Sequence, residues 1–140
     1  AALLGFHVLA VDYPNWPTIA KACRQASVAC FETLRRQRLW GGGTVAEKDA
    51  GIVQFKAKLI DLAQQNPSRN WGQFLNASGE PVWPKIVVAG HSQGAGMAVL
   101  VGKSFLVAGV VQLAGVTDVT FDSAVPWLSN PSATPADRIY

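Results

Sequence analysis

The stretch Ile86-Val87-Val88-Ala89-Gly90-His91-Ser92-Gln93-Gly94-Ala95-Gly96 decides the fold of this chain. It begins with a short apolar run, which is typical of a strand buried on both faces. A glycine-flanked serine follows, and small apolar residues after it indicate a buried helix. A Gly-x-Ser-x-Gly spacing between a strand and a helix predicts a sharp turn that lifts the Ser92 hydroxyl to the carboxyl edge of a sheet.

Each position of this turn has a physical reason. We expect Ser92 in a strained backbone conformation. Side chains at Gly90 and Gly94 would collide with the neighbouring strand and helix, and the missing Cβ at Gly96 would let that helix pack closely on the sheet. In the alternative, Ser92 is only an N-cap that accepts a helix N–H. A phosphate-binding loop is disfavoured, because neither Gly-Lys-Ser/Thr nor G-x-G-x-x-G occurs here.

Outside this stretch, strand-like and helix-like patterns alternate. Apolar runs predict three strands, over residues 6–12, 85–90 and 107–114. Apolar spacing and caps predict about three helices: one from Ile19 to Gly41, one from the capping box Thr44–Glu47 to Asn66, and one over residues 94–101. The alternation predicts an α/β fold with a parallel sheet flanked by helices.

Three strands would leave both edges of such a sheet unpaired. The chain also opens at Ala1 in what has the pattern of a final helical turn closed by Gly5. We therefore expect residues 1–140 to be the central part of one domain, truncated at both ends. Another strand is expected to begin near Arg138.

The composition is that of a globular chain with a large core. Hydrophobic residues make up 49% and charged residues 15% of the 140 residues, which argues against disorder. The net charge is +3, and the basic residues are scattered except for Arg35, Arg36 and Arg38. We interpret this cluster as cations at a helix C-terminus, so no nucleic-acid partner is expected. No apolar run approaches the ~20 residues of a membrane span.

The two cysteines, Cys23 and Cys30, fall within the first predicted helix. On one continuous helix their Cα atoms would lie about 10 Å apart. A disulfide needs a separation below about 7 Å, so we interpret both as small core residues. No histidine is nearby, and the pair therefore predicts no metal site.

The quoted stretch resembles the nucleophile elbow of the α/β-hydrolase superfamily, particularly its lipase- and esterase-like members. The segment His7-Val8-Leu9-Ala10-Val11-Asp12-Tyr13-Pro14 is similar to a strand two units earlier in that fold. The resemblance covers residues from about 6 to 114 and implies an incomplete α/β-hydrolase core with three clear strands. It also implies that Ser92 is the nucleophile and that the backbone N–H of Gln93 is half of an oxyanion hole.

The family's base is a histidine that follows the nucleophile in the chain. The sequence has two histidines, His7 and His91, and both precede Ser92. We interpret His91 as an elbow-packing residue and His7 as a core or edge histidine. No residue of this chain therefore fits the base.

For the acid that orients the base, the resemblance makes Asp118 the best candidate in this chain: it follows the third predicted strand by a few residues, where some family members place the acid, although more place it after the next strand. Asp122 and Asp137 are weaker candidates. An acid beyond Tyr140, after one more strand, stays open as the alternative.

The resemblance implies a serine hydrolase that cleaves an ester or similar acyl bond of a small-molecule substrate through an acyl-enzyme on Ser92, without a cofactor or metal. Acyl transfer or peptide cleavage on the same elbow stays open, as does a non-catalytic hydrolase-like binding domain. Residues 1–140 alone are expected to show negligible turnover, because they lack a base.

Overall fold

The computed structural model describes residues 4–23, 27–116, 118 and 123–140. They form a mixed α/β structure in which a two-stranded parallel sheet is flanked by helices. The strands are β1 (Val87–His91) and β2 (Gly109–Leu113). The helices are α1 (Ile19–Cys23), α2 (Val28–Trp40), α3 (Gly51–Gln65), α4 (Gln93–Ser104) and α5 (Pro126–Ser129). In these described ranges, no helix combines the length and the apolar character that crossing a bilayer requires.

A βαβ unit made of β1, α4 and β2 lies at the centre of the molecule. The strands run parallel, with Val87 opposite Gly109, and match two of the predicted strands to within two residues. Most of α4 is buried, as expected for a helix that is apolar around its circumference. Its close approach to β2 depends on Gly102, because a Cβ there would lie 2.4 Å from Cγ2 of Val110.

The third predicted strand, over residues 6–12, is not formed, so the predicted three-strand core is wrong. This segment has no regular secondary structure, and no backbone hydrogen bond joins it to β1. Leu9 and Val11 instead line a cavity of about 400 Å³ that Val87 also lines. An apolar run supplies strand-like side chains, but a strand also needs a neighbouring backbone within hydrogen-bonding distance.

The far edge of β2 meets the last residues of the chain. The N–H of Tyr140 donates to the carbonyl oxygen of Val110 at 2.9 Å, and the N–H of Gln112 donates to that of Tyr140 at 2.7 Å. Val110 and Ile139 thereby form a parallel bridge. This is an isolated bridge and not a strand, so another strand beginning near Arg138 stays a prediction.

The first predicted helix is in fact two helices, and this changes the state of the cysteines. Helix α1 ends at Cys23, and α2 starts after Ser27, whose Oγ accepts a hydrogen bond from the N–H of Cys30 at 3.2 Å. With the helix interrupted, the two Cα atoms lie 5.7 Å apart and the sulfurs form a disulfide. The expectation that these cysteines are too far apart for a disulfide is wrong, because it assumed one continuous helix. The core placement is confirmed for Cys23, which is 3% exposed.

Reduction of the Cys23–Cys30 disulfide should lower the free energy of unfolding by about 2.5 kcal/mol, the loop-closure entropy expected for so short a loop. Urea unfolding with and without a reductant measures the change. The matched control is Cys23→Ser/Cys30→Ser, whose unfolding curve should not respond to reductant. A wild-type curve that does not shift, with both thiols shown to be alkylated, would contradict the prediction.

Helix α3 begins later than its predicted capping box. Val45 pairs with Gly42 in a tight reversal, and Glu47 opens a separate 3₁₀ turn, so the helix starts only at Gly51. Thr44–Glu47 has the spacing of a capping box, but these residues lie in the reversal and the 3₁₀ turn before the helix. The end of the helix is confirmed, because Asn66 is the C-cap.

Candidate functional site

Ser92 occupies the turn between β1 and α4 in a backbone conformation that residues with a Cβ rarely adopt. Its φ is 53° and its ψ is −117°. The N–H of Ser92 donates to the carbonyl oxygen of Leu113 at 2.8 Å, and the carbonyl of Ser92 accepts from the N–H of Ala95 at 2.9 Å. The predicted strain at Ser92 is confirmed, and these backbone bonds hold it in place.

The Ser92 side chain is exposed and does not cap α4. Its hydroxyl makes no hydrogen bond to any residue within the described ranges. This argues against the cap-serine alternative, because a capping hydroxyl would accept from an N–H in the first turn of the helix. Ser92 lines neither of the two cavities beside β1. The hydroxyl stands at the carboxyl end of β1, open to solvent.

The three glycines around Ser92 have different reasons to lack a side chain. A Cβ at Gly90 would lie 1.9 Å from the carbonyl oxygen of Gly94, so the predicted clash is confirmed there. A Cβ at Gly94 would meet nothing within 4 Å, so the same prediction is wrong at that position. At Gly96 a Cβ would lie 2.6 Å from Nη2 of Arg35. The three atoms nearest to such a Cβ all belong to Arg35, so the glycine at position 96 makes room for a guanidinium.

Gln93, the first residue of α4, is held at three polar atoms. Its carbonyl oxygen accepts from Nη1 of Arg35 at 2.6 Å. Its side-chain Oε1 accepts from the N–H of Ile19 at 2.7 Å, and its Nε2 donates to the carbonyl oxygen of Asn15 at 3.2 Å. The backbone N–H of Gln93 has no hydrogen-bond acceptor among the residues that the structure describes. That N–H is free to donate to an anion beside Ser92.

A buried ion pair lies next to the elbow. Arg35 on α2 is 0% exposed and Asp118 is 1% exposed. Nε of Arg35 donates to Oδ2 of Asp118 at 2.7 Å, and Nη2 donates to Oδ1, which makes the pair bidentate. Because Nη1 of the same guanidinium reaches Gln93, the pair connects α2, the segment after β2 and the first turn of α4.

The interpretation of the arginine cluster as cations at a helix C-terminus is confirmed for Arg38, which lies in the last turn of α2. Arg36 is exposed, and its Nε donates to Oε1 of Glu32 at 3.0 Å. Arg38 is buried, and its Nη2 donates to the carbonyl oxygen of Pro17. Burial lowers the pKa of Arg38, the nearby Tyr13 raises it, and Arg35 lowers it further.

The sequence analysis did not predict that Arg35 is buried beside the elbow, although the sequence contains one signal of it. Arg35 lies four residues after Phe31 and four before Leu39, and all three are buried on the same face of α2. A cation between two core residues on one stripe indicates a buried cation, which needs an anionic partner. The spacing does not show that the partner is Asp118, which is 83 residues away in the chain.

Neither histidine hydrogen-bonds to Ser92. The Nε2 atom of His7 is 2.5 Å from the carbonyl oxygen of Arg69, and its ring meets those of Trp71 and Phe74 edge-on. His7 is exposed and lies in no strand, so its interpretation as a core or edge histidine is wrong. His91 ends β1, is exposed, and makes no hydrogen bond to Ser92.

The assignment of Asp118 as the acid of a triad stays a prediction. Its carboxylate binds Arg35, and neither histidine hydrogen-bonds to it. Asp122 lies outside the described residues. Asp137 is exposed in the 3₁₀ turn Ala136–Arg138.

Comparison of the chain with protein families, curated proteins and solved structures finds no match. Any functional conclusion therefore depends on the site itself: the strained, uncapped Ser92, the free N–H of Gln93, and the buried Arg35 that holds Gln93.

Proposed function

We propose that this chain supplies the nucleophile of a serine hydrolase that cleaves an ester or similar acyl bond. The observation that carries the proposal is the backbone of Ser92, with φ 53° and ψ −117° and a hydroxyl that caps nothing. Strain of this kind costs about 1–3 kcal/mol and persists only where the surrounding structure enforces it. A serine that served only to cap a helix or terminate a strand would not need it.

In the proposed reaction, Oγ of Ser92 attacks the acyl carbonyl carbon while its proton passes to a general base. The carbonyl oxygen becomes an oxyanion, to which the N–H of Gln93 donates. When this intermediate collapses, the bond to the leaving group breaks, and the base returns the proton to that group. Water then attacks the ester on Ser92 and passes a proton to the base. The bond between the acyl carbon and Oγ breaks, Oγ takes this proton from the base, and the acid leaves.

Within the described ranges, no residue is placed as the base, since His7 is bound at Arg69 and His91 makes no hydrogen bond to Ser92. We propose that residues outside these 140 supply it. Under this proposal the 140 residues alone give negligible ester turnover. A histidine encoded beyond Tyr140, after further strands, is the sequence observation that would support the enzyme.

A fluorophosphonate should label the full-length protein at Ser92, because it phosphonylates serines that a base activates, and Ser92→Ala should abolish the label. Peptide mass mapping locates the adduct. The matched control is Ser104→Ala at the other end of α4, where Oγ bonds the carbonyl of Leu100 at 2.8 Å; it should label like the wild type. Undiminished labelling of a folded Ser92→Ala protein would refute the nucleophile.

The alternative is a non-catalytic hydrolase-like binding domain. Two observations favour it: no histidine bonds to Ser92, and Ser92 lines neither cavity beside β1. A folded full-length protein that takes up no fluorophosphonate supports this alternative. Acyl transfer or peptide cleavage on the same elbow would still give labelling, and product analysis separates them from hydrolysis.

A further inference from the structure

We infer that Arg35 is a positioning residue for the oxyanion donor of this site, and that Asp118 serves as its counter-ion instead of as the acid of a triad. The role rests on the proposed function, in which the N–H of Gln93 stabilises the oxyanion formed at Ser92. Arg35 itself does not reach the reacting atoms. It acts through the backbone of residue 93.

The contacts of the guanidinium support this role. Asp118 fixes its Nε and Nη2 edge, and this orientation directs Nη1 at the carbonyl oxygen of Gln93, 2.6 Å away. A carbonyl oxygen has two lone pairs, so it can accept this bond in addition to a helical one. Both partners of the ion pair are at most 1% exposed, so little water competes for these bonds.

The anchors on Gln93 are not equivalent. The bonds to Ile19 and Asn15 hold the end of a rotatable side chain. Among the described residues outside α4, Arg35 alone hydrogen-bonds to the backbone of residue 93. Fixing that carbonyl restrains the peptide planes at the start of the helix, and with them the direction of the Gln93 N–H. A donor that is aimed before the reaction needs no reorganisation when the oxyanion forms.

Gly96 is an independent sign that the guanidinium belongs against α4. A Cβ at position 96 would lie 2.6 Å from Nη2 and 2.7 Å from Cζ of Arg35. An ion pair that served only to join α2 to Asp118 would not require a residue without a side chain on α4. Such a residue, Gly96, nevertheless lies in the first turn of α4, shortly after Ser92 and Gln93.

The test uses the full-length protein and measures the rate of fluorophosphonate labelling at Ser92. In Arg35→Met/Asp118→Asn a neutral pair replaces the ion pair, so that no unpaired charge is buried. We expect this variant to fold with a melting temperature near that of the wild type. We expect its maximal labelling rate to fall by about 10- to 100-fold, as for a misplaced oxyanion donor. The reagent concentration that gives half of this rate should stay unchanged.

Gly96→Ala is a second way to displace the Arg35 guanidinium, and it removes no charge. The added Cβ pushes the guanidinium away from α4, so labelling should slow even where Arg35 and Asp118 are both present. The matched control for stability is Leu59→Ala, which empties a buried site on α3. It should lower the melting temperature and leave the labelling rate unchanged.

Labelling of both the double variant and Gly96→Ala at the wild-type rate would overturn the inference and leave Ser92 as the nucleophile. So would a Leu59→Ala protein that slows as much as the double variant, because the rate would then follow stability alone. A folded wild-type protein without any label at Ser92 would instead remove the proposed function itself, and the role of Arg35 with it.

Discussion

Gly90→Ala should destroy the elbow, with labelling of Ser92 lost by more than about 100-fold and the free energy of unfolding lowered by about 3 kcal/mol. The new Cβ would lie 1.9 Å from the carbonyl oxygen of Gly94, 2.2 Å from its carbonyl carbon and 2.7 Å from the N of Ala95. All three are backbone atoms, so no side chain can rotate away. The strand or the helix must move, and Ser92 lies between them.

Urea unfolding and fluorophosphonate labelling of the full-length protein measure the two effects of Gly90→Ala. The matched control is Gly94→Ala on the other side of Ser92, where a Cβ meets nothing within 4 Å. Position 94 is helical, so alanine there should preserve stability or raise it by up to about 1 kcal/mol. Equal unfolding midpoints for Gly90→Ala and the wild type would show that the elbow is not as tight as these distances require.

The elbow could be predicted from the sequence because its causes are local. A strand, a forced turn and a buried helix follow one another within residues 86–104, and each leaves its own pattern. The need for glycine at position 90 is also local, because a Cβ there would clash with Gly94, only four residues away. Gly94 has an equivalent place in the motif, on the other side of Ser92, yet its surroundings leave space for a Cβ. The motif alone does not predict that difference.

Features that depend on distant parts of the chain could not be predicted in this way. The partner of Arg35 lies 83 residues away, so the helical stripe reveals burial but not Asp118. The disulfide depends on a break between α1 and α2 that the apolar stripe from Ile19 onward does not show. The segment 6–12 has the residues of a buried strand, but whether β1 lies within hydrogen-bonding distance of it is a property of the whole fold.

Arg35→Met alone should lower the free energy of unfolding by about 3–5 kcal/mol, the cost of leaving one partner of a buried ion pair without the other. Asp118 is 1% exposed, so its carboxylate would have neither a cation nor water. The carbonyl of Gln93 would lose a donor as well. Arg35→Met/Asp118→Asn should recover most of this loss, because it also removes the Asp118 charge that the single variant leaves buried and unpaired. Urea unfolding of the single and double variants measures both effects.

The same helix supplies the control for Arg35→Met. Arg36 also pairs with a carboxylate, that of Glu32 at 3.0 Å, but its side chain is 45% exposed. Water solvates both charges there, so Arg36→Met should change the free energy of unfolding by less than about 0.5 kcal/mol. The two substitutions, at adjacent arginines that both pair with a carboxylate, would then differ in their effect on the free energy of unfolding because of burial. If the two substitutions cost the same, or if the double variant is no more stable than Arg35→Met, the pair beside the elbow is not shielded from water as its contacts indicate.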